Sequence, residues 1–324
     1  MCSACSWAKC PRKSTACWRR WKTGSPPMPE PRLRRSLLMT PGNRPERLAR
    51  AAGCGADVLV FDLEDSVPPE HKARARDCVA QALRALPAGG PERCVRINGL
   101  DTPHAALDLA ALPLAHLDSI MVPKVESPDT LRALDARLAE QETAQKRTRA
   151  LELIVMLETP RGILRALPIA DACHRTTALF FGSGDYTSAL GAEVDDTTLL
   201  YPRSVVAAAA AAAGLAAIDA AYFQDVKDAA AARRDADTAR RLGFDGKVVF
   251  HPNQVEPVNA VFTPDAAALE RARRIVAAYE AGLRDGRGTT VVDGVFVAVD
   301  LVPPARRLLA RAAAIAALSG ATGP

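Results

Sequence analysis

The segment Val58-Leu-Val-Phe-Asp-Leu63 is an apolar run that leads into an acidic cluster, and a stretch with helical periodicity follows it over His71–Leu86. Its apolar residues do not alternate with polar ones, which is typical of a strand covered on both faces in a parallel sheet. Similar runs recur at Ser36–Thr40, Cys94–Asn98, Ser119–Lys124, Leu153–Glu158, Ala178–Gly182, Ala216–Ala220 and Lys247–His251. Eight strands that alternate with helices predict a closed α/β (β/α)8 TIM barrel.

The segments between these runs favour a barrel over an open doubly wound sheet. An open sheet of that kind normally carries a G-x-G-x-x-G turn after its first strand, whereas this chain has Thr40-Pro-Gly-Asn43. Amphipathic or alanine-rich helices are predicted at Pro45–Gly53, His71–Leu86, Thr130–Gln145, Arg161–Ala172, Arg203–Ala213 and Asp228–Leu242.

Three regions are expected along the chain. Residues 30–262 form the catalytic barrel, and residues 263–324 form a short C-terminal helical arm that packs on the barrel or on a neighbouring subunit. Within this arm, Pro264–Arg284 and Arg306–Ala317 are predicted helices, and Thr289–Val299 surrounds an Asp-Gly turn. Residues 1–29 differ from the rest in composition and are treated separately.

Composition excludes several classes of protein. The chain has 324 residues, of which 48% are apolar and 24% charged, which is ordinary for a globular protein. Six basic residues and no acidic one lie in residues 1–29, so the remainder carries a net charge of −1 and predicts no nucleic-acid surface. No apolar run is long enough for a membrane helix. The scattered cysteines of the barrel lie in apolar contexts and indicate buried free thiols and a cytoplasmic location.

Residues 1–29 hold half of the cysteines and all three tryptophans. Three interpretations remain open. Cys2, Cys5, Cys10 and Cys17 can form a zinc knuckle, although only the first pair has the usual spacing. The basic, acid-free composition also fits an organelle transit peptide. We favour an unstructured extension, or sequence upstream of a true start at Met28.

Charged and polar residues gather where the predicted strands end, which is the catalytic end of such a barrel. The strand ends carry Asp62, Glu64, Asp65, Arg96, Asn98, Lys124, Glu158, Asp185 and His251. The opposite strand ends show no matching set. The sequence therefore predicts one polar rim built from six strands.

Glu158 and Asp185 end two neighbouring strands. Hard oxygen ligands with no cysteine or histidine pair nearby favour Mg²⁺, or Mn²⁺, over zinc. The alternative is that each carboxylate only caps the helix that follows it. Arg96 lies inside an apolar strand and needs a partner, either a rim carboxylate or an anionic oxygen of the substrate. His251 is either a general base or a histidine bonded to the main chain.

Six motifs in order carry a resemblance to a known family. They are Arg35–Asn43, Ala56–Val67, Val95–Asn98, Leu157–Gly162, Leu179–Asp185 and His251–Val255. The series resembles the citrate lyase beta-subunit branch of the HpcH/HpaI aldolase/citrate lyase superfamily. The resemblance covers roughly residues 33–310 and implies a (β/α)8 barrel that assembles as a homotrimer or homohexamer.

The resemblance also implies a chemistry. Members of this branch cleave or form a carbon–carbon bond in 3-hydroxyacyl-CoA thioesters such as citryl-CoA or malyl-CoA, with Mg²⁺, and release an acyl-CoA and an α-keto acid. Glu158 and Asp185 match the metal ligands, and Arg96 matches the arginine that binds substrate. Glu64 and Asp65 match the acidic pair that holds metal-bound waters. Pro41, Gly42 and Lys72 lie where related proteins hold coenzyme A.

The resemblance is imperfect in the C-terminal arm. Malyl-CoA-type relatives carry a catalytic aspartate there, in a pattern like Asp-Gly-x-Met-Val-Asp-x-Pro that reaches the next subunit. Here Ala298 stands at that position and Asp300 follows two residues later. If this stretch is extended, both residues share a face and Asp300 can act as the acid or base. Otherwise the acid is absent and the chemistry differs.

Four functions follow from these observations. The leading one is the Mg²⁺-dependent thioester lyase, with CoA-thioester and α-keto-acid substrates. The alternatives are a CoA-free hydroxy-keto-acid aldolase, an acyl-CoA thioesterase on the same metal site, and a non-catalytic binding barrel. The last conflicts with the presence of Arg96, Glu158 and Asp185.

Overall fold

A computed structural model describes residues 32–321, so the proposals for residues 1–29 lie outside the described residues. Eight parallel strands close into a barrel in the order β1 to β8, with β1 paired to both β2 and β8. The predicted (β/α)8 barrel is confirmed. The strands are β1 Ser36–Pro41, β2 Val58–Asp62, β3 Glu92–Arg96, β4 Ser119–Val122, β5 Glu152–Leu157, β6 Thr176–Phe181, β7 Ala216–Asp219 and β8 Gly246–Val249.

Helices surround the barrel. They are α1 Pro45–Ala51, α2 Lys72–Ala85, α3 Pro103–Ala111, α4 Pro128–Ala144, α5 Pro160–Leu164, α6 Ala166–Ala170, α7 Ser183–Leu190, α8 Asp196–Ala213, α9 Ala229–Arg241 and α10 Val255–Phe262. The single helix predicted over Arg161–Ala172 is wrong, because it breaks at Arg165. Pro168 has no N–H for the carbonyl of Leu164 and its ring crowds that carbonyl, which ends α5 there.

Side chains alternate between the inside and the outside of the barrel. Leu37, Val58, Val60 and Ile154 belong to a cluster in the interior, whereas Leu38 belongs to the larger core under the helices. Both faces of every strand are therefore buried, which explains the unbroken apolar runs in the sequence. The cysteines of the described part are free, but only Cys94 is fully buried.

The same alternation places polar residues over the mouth of the barrel. Asp62 continues the inward positions of β2, Arg96 those of β3, and Glu158 and Gly182 those of β5 and β6. Because successive side chains of a strand point to opposite faces, these four positions converge on the barrel axis. Asp219, which ends β7 at an outward position, instead bonds Arg203 of α8 at 3.0 Å.

The opposite end of the barrel is not free of charge, so the expectation that it lacks a matching set is wrong. Arg34 is buried there and donates to Glu92 at 2.7 and 2.9 Å and to Glu152 at 2.7 Å. Arg34 and Glu92 are buried, Glu152 is 17% exposed, and the charges of the cluster are paired. The cluster therefore closes the amino-terminal end of the barrel and leaves the rim as the reactive end.

The C-terminal arm consists of α11 Ala266–Arg284, a hairpin of β9 Thr290–Val292 and β10 Val295–Val297, and α12 Val302–Ala321. Both helices and the hairpin share a small apolar cluster that includes Ile275 and Val297. Arg311 of α12 contacts Asp245 of the barrel, at 3.4 Å, and stacks over the ring of Phe262. The arm thus packs partly on its own barrel, while Phe296 at the hairpin remains 65% exposed.

Asp300 does not continue an extended strand. Val299–Leu301 forms a single 3₁₀ turn, although Ala298 itself is extended. The condition under which Asp300 shares a face with Ala298 is therefore not met. Among residues 32–321, no helix is long and apolar enough to cross a membrane.

Candidate active site

Asp62 and Arg96 form the base of the site. Arg96 donates through Nε and Nη2 to the two oxygens of Asp62, at 2.6 and 2.7 Å, and Asp62 has no exposed surface. Burial alone raises the pKa of a carboxyl, but the Arg96 guanidinium and hydrogen bonds from Ser66 and the Glu64 N–H hold the pKa of Asp62 below its usual range. Asp62 is therefore a fixed anion that orients Arg96.

Glu64 lies between two cations. Its Oε1 accepts from Lys124 Nζ at 2.8 Å, and its Oε2 lies 2.8 Å from Arg96 Nη1. The second contact lacks hydrogen-bond geometry, so Glu64 Oε2 is buried with no donor. Burial outweighs the nearby cations and raises the pKa of Glu64. A buried acceptor without a donor fits an oxygen that holds a further ligand, such as a metal-bound water.

Glu158 is a buried carboxyl of the rim with a strongly raised pKa. It is 3% exposed, and its Oε1 accepts from the main-chain N–H of Lys124 at 2.8 Å. Burial, followed by repulsion from Glu64 and Asp185, raises the pKa of Glu158 to about 8. Thr159, not Glu158, caps α5, since its side chain accepts from Gly162 N. Helix capping therefore does not account for Glu158.

Asp185 lies in the first turn of α7, where a carboxylate is favoured by the helix dipole. Its side chain is 43% exposed, and Lys124 Nζ approaches it at 3.9 Å. Gly182 is the N-cap of α7 and, within the described residues, Asp185 makes no capping hydrogen bond, so capping does not account for Asp185 either, and its favourable place near the helix dipole does not compete with metal binding. An exposed carboxylate at this position is accessible to a ligand in the barrel mouth.

The rim carries more negative than positive charge. Its carboxylates are Asp62, Glu64, Asp65, Glu158 and Asp185, and the cations that contact them are Arg96 and Lys124. Within residues 32–321, no three His, Cys, Asp or Glu side chains converge as a complete metal site. Mg²⁺ needs only one or two protein carboxylates and keeps waters or substrate oxygens as its other ligands. Glu158 and Asp185 fit that requirement.

Residue 182 must be a glycine because the Glu158 side chain occupies the space that a Cβ at this position needs. A Cβ on Gly182 lies 2.5 Å from Glu158 Cβ and 2.8 Å from Glu158 Oε2, although φ of −99° is accessible to any residue. Gly182→Ala is expected to displace Glu158, to weaken Mn²⁺ binding about 10–100-fold and to cost about 1–3 kcal/mol of stability. Isothermal titration calorimetry and thermal unfolding measure the two effects.

Gly184→Ala is the matched control for that variant. A Cβ on Gly184 meets nothing within 4 Å, and Gly184 lies two positions after Gly182, in the first turn of α7. This control is expected to bind Mn²⁺ normally and to gain up to about 1 kcal/mol from the higher helix propensity of alanine. Equal Mn²⁺ affinities in the two variants contradict the role given to Gly182.

The residues proposed to hold coenzyme A lie at two different depths. Pro41 borders a cleft of about 480 Å³ between the loops that follow β1 and β2. Gly42 is buried, and its N–H donates to the carbonyl of Asp62 at 2.8 Å. Lys72 is turned inward, where its Nζ donates to the carbonyls of Leu63 and Glu64, both at 2.9 Å.

This arrangement gives Gly42 and Lys72 a positioning role that the sequence did not reveal. A Cβ on Gly42 lies 2.7 Å from the carbonyl oxygen of Asp62, so the close approach of the two loops needs glycine. Lys72 fixes the loop that carries Glu64. Contact of either residue with coenzyme A stays a prediction. The lining of the cleft carries a net positive charge, since it includes Arg44, Arg47 and Arg74 against the single carboxylate of Glu46.

Two further candidates lie apart from the carboxylate cluster. His251 caps the turn Pro252–Gln254, where its Nδ1 accepts from the main-chain N–H of Asn253 at 3.3 Å, so the main-chain interpretation of His251 describes this contact. Asp300 is exposed in the C-terminal arm. Asp65 lies at the cluster edge, 3.4 Å from Lys124 Nζ.

Sequence reasoning assigned no role to Asp62 or Lys124. The inward positions of β2 contain the signal for Asp62, because Val58, Val60 and Asp62 are two residues apart. Lys124 follows Pro123 at a strand end, and its left-handed backbone (φ 52°) has no sequence marker such as glycine. Its contacts with the cluster depend wholly on the fold.

Comparison with known proteins agrees with this geometry. The HpcH/HpaI aldolase/citrate lyase family profile matches residues 35–252. The chain belongs to this family. It is similar to a (3S)-malyl-CoA thioesterase of Cereibacter sphaeroides, with 38% identity over 87% of this chain and 96% of the relative. The citrate lyase subunit beta of Leuconostoc mesenteroides is 35% identical over 86% of this chain and 93% of that protein.

A solved structure extends the similarity to three dimensions. The CitE protein of Mycobacterium tuberculosis, in complex with magnesium, acetoacetate and coenzyme A, superposes with a TM-score of 0.67. It is 32% identical, over 86% of this chain and 97% of CitE. The resemblance to citrate lyase beta-subunit-like proteins is therefore confirmed. The family acts on CoA esters and includes both lyases and a thioesterase.

Proposed function

We propose that this family member is a Mg²⁺-dependent carbon–carbon lyase that acts on a 3-hydroxyacyl-CoA thioester of the citryl-CoA or malyl-CoA type. The observation that carries the proposal is the pair Glu158 and Asp185 beside Arg96, in a rim with more carboxylates than cations. The presence of magnesium, a keto acid and coenzyme A in the solved CitE complex supports it. The physiological direction is either cleavage or condensation, since the same site stabilises both.

In the cleavage direction, the 3-hydroxyl of the substrate loses its proton and the bond between C2 and C3 breaks. C3 becomes the keto carbon of the released α-keto acid, and the electron pair moves onto the thioester as an enolate. A proton then adds at C2 and gives the acyl-CoA. The negative charge therefore moves from the hydroxyl oxygen to the thioester oxygen during the reaction.

The residues of the rim match this movement of charge. Glu158 and Asp185 would hold Mg²⁺, which supplies Lewis-acid stabilisation of the substrate oxygens. Asp62 accepts the Nε N–H of Arg96 and one N–H of Nη2, while Nη1 lies 2.8 Å from Glu64 Oε2 without a hydrogen bond, so Nη1 and the second N–H of Nη2 are left for a substrate. In the proposed reaction these N–H groups would donate to a substrate carboxylate or enolate oxygen. One such donor typically lowers the activation barrier by about 3–4 kcal/mol.

The cleft beside Pro41 suits the coenzyme A portion. Arg44, Arg47 and Arg74 give it positive charge, and Ser66 links it to the site through its hydrogen bond to Asp62. Phosphate groups are the anions that guanidinium groups bind best. The thioester carbon would then lie toward the rim and the nucleotide toward the loops.

Arg74→Gln is expected to raise KM for the thioester about tenfold, the effect of one charged hydrogen bond, with little change in kcat. The reason is that a phosphate contact far from the reacting bond binds ground state and transition state equally. Steady-state kinetics with acyl-CoA formation as the signal measure both constants. Arg84→Gln, an exposed change on the same helix α2, is the control and should leave KM unchanged. A fall in kcat at constant KM contradicts this placement.

The test of the proposed function is cleavage of a panel of citryl-, malyl-, methylmalyl- and hydroxymethylglutaryl-CoA. Release of a keto acid is followed with Mg²⁺ and with EDTA. Metal-dependent release from one thioester is expected and also names the substrate. Protein that binds the metal but cleaves none of the four overturns the proposed lyase function, and a CoA-free hydroxy-keto acid is then the next substrate class to assay.

A second candidate is hydrolysis of the thioester on the same metal site. The similarity to the malyl-CoA thioesterase of Cereibacter sphaeroides favours it. The two reactions differ in products, because hydrolysis releases the free thiol of coenzyme A and a hydroxy acid. Titration of free thiol in the panel assay separates them. Thiol release without keto-acid release assigns the thioesterase.

A further inference from the structure

Lys124 contacts four of the five rim carboxylates, all except Asp62. Its main-chain N–H donates to Glu158 Oε1 at 2.8 Å. Its ammonium lies 2.8 Å from Glu64 Oε1, 3.4 Å from Asp65 and 3.9 Å from Asp185. The left-handed backbone at Lys124, with φ of 52°, lets one residue present both groups to the cluster.

We propose that Lys124 is the counter-ion of the metal-free site and that its ammonium competes with the divalent cation for the rim carboxylates. In this role Lys124 is a positioning residue. Before metal binds, its ammonium holds the Asp185 and Glu64 carboxylates near each other, and its ion pair with Asp185 breaks when metal binds. The inference rests on the metal site of the proposed function and adds a device that sets metal affinity.

The contacts of Asp185 support this competition. Over the described range 32–321, Lys124 is the one cation that forms an ion pair with Asp185. A divalent cation held by Asp185 and Glu158 would replace Lys124 as the partner of the Asp185 carboxylate. It would also repel the Lys124 ammonium a few ångströms away.

Lys124 is also able to move. Its side chain is 40% exposed and has a flexible four-carbon stem, whereas the neighbouring Arg96 is held by Asp62 on two nitrogens. The cation that yields is therefore Lys124. Arg96 keeps its orientation in both states.

The first experiment measures the Kd for Mn²⁺ by isothermal titration calorimetry in the full chain. Lys124→Met is expected to lower this Kd about tenfold or more, since it removes a positive charge beside the bound cation. Lys124→Arg keeps the charge and is expected to stay within about threefold of the unmodified protein. Lys146→Met is the matched control, because Lys146 is exposed and has a similar φ of 54°.

Tighter binding is diagnostic, because damage to the site from a purely structural lysine weakens metal binding. An unchanged or higher Kd in folded Lys124→Met, with normal binding by the unmodified protein, overturns the competition alone. Failure of the unmodified protein to bind Mn²⁺ at all overturns the metal site of the proposed function and this inference with it.

A second measurement uses the unmodified protein and so does not depend on a variant that folds. Lysines are acetylated with N-acetoxysuccinimide, and the rate at Lys124 is read by mass spectrometry with and without saturating Mg²⁺. Release from its ion pairs is expected to speed labelling of Lys124 about threefold or more. Lys146 serves as the internal reference. An equal or slower rate at Lys124 with Mg²⁺ overturns the proposal.

Discussion

Glu158→Gln is expected to abolish metal-dependent turnover, with a loss of at least about 100-fold in kcat/KM, and to leave the barrel as stable as before or more so. The amide retains an oxygen that can accept from Lys124 N but cannot hold a divalent cation as a carboxylate does. Stability does not fall because burial and the charges of Glu64 and Asp185 already disfavour the ionised form of Glu158, whose pKa they raise to about 8.

Kinetics with Mg²⁺ and thermal unfolding without metal test the two halves of this prediction. Asp185→Asn is expected to lose turnover in the same way. Glu126→Gln is the control, since Glu126 lies on the same rim in an exposed ion pair with Arg161 at 3.5 Å. Full activity in either Glu158→Gln or Asp185→Asn removes the metal assignment. A large loss of stability in Glu158→Gln contradicts the charge argument.

Arg96→Gln is expected to lose both activity and stability. It leaves the fully buried Asp62 without its bidentate partner, and breaking such a pair costs about 3–5 kcal/mol. The N–H groups proposed to face the substrate are lost as well, so kcat is expected to fall about 100-fold or more. Urea unfolding and kinetics at saturating Mg²⁺ measure these effects.

A double variant separates the two roles of Arg96. Arg96→Gln combined with Asp62→Asn removes the unpaired buried charge, so it is expected to regain a large part of the lost stability without regaining activity. Arg161→Gln is a surface control and is expected to change stability by less than about 1 kcal/mol. If the double variant is no more stable than Arg96→Gln alone, Asp62 is not the residue whose charge Arg96 compensates.

Much of the fold could be predicted from local patterns. Val58–Leu63 and its seven counterparts are apolar on both faces, and the sequence shows this directly as unbroken runs of apolar residues. The break between α5 and α6 was missed because Pro168 acts on the carbonyl of Leu164, at a position where the helical periodicity of the surrounding residues is unbroken. The charged cluster of Arg34 was missed because its partners come from other strands.

The candidate site was predictable only as a set of strand ends. Glu158, Asp185 and Arg96 were named because a carboxylate or guanidinium after an apolar strand lies at the rim of a barrel. The sequence did not predict which of these carboxylates is paired with a cation. Asp62 is paired and Glu158 is not, although each follows a buried strand.

By itself, the sequence determined the number and order of the strands, the closed barrel, the end of the barrel that carries polar groups and the family. These properties depend on residue type and short-range periodicity. Only the tertiary structure decided the charge partners. Arg96 meets Asp62 from 34 positions away and Lys124 meets Glu64 from 60 positions away. Electrostatic energy depends on distance and burial in three dimensions, and neither is set by neighbours along the chain.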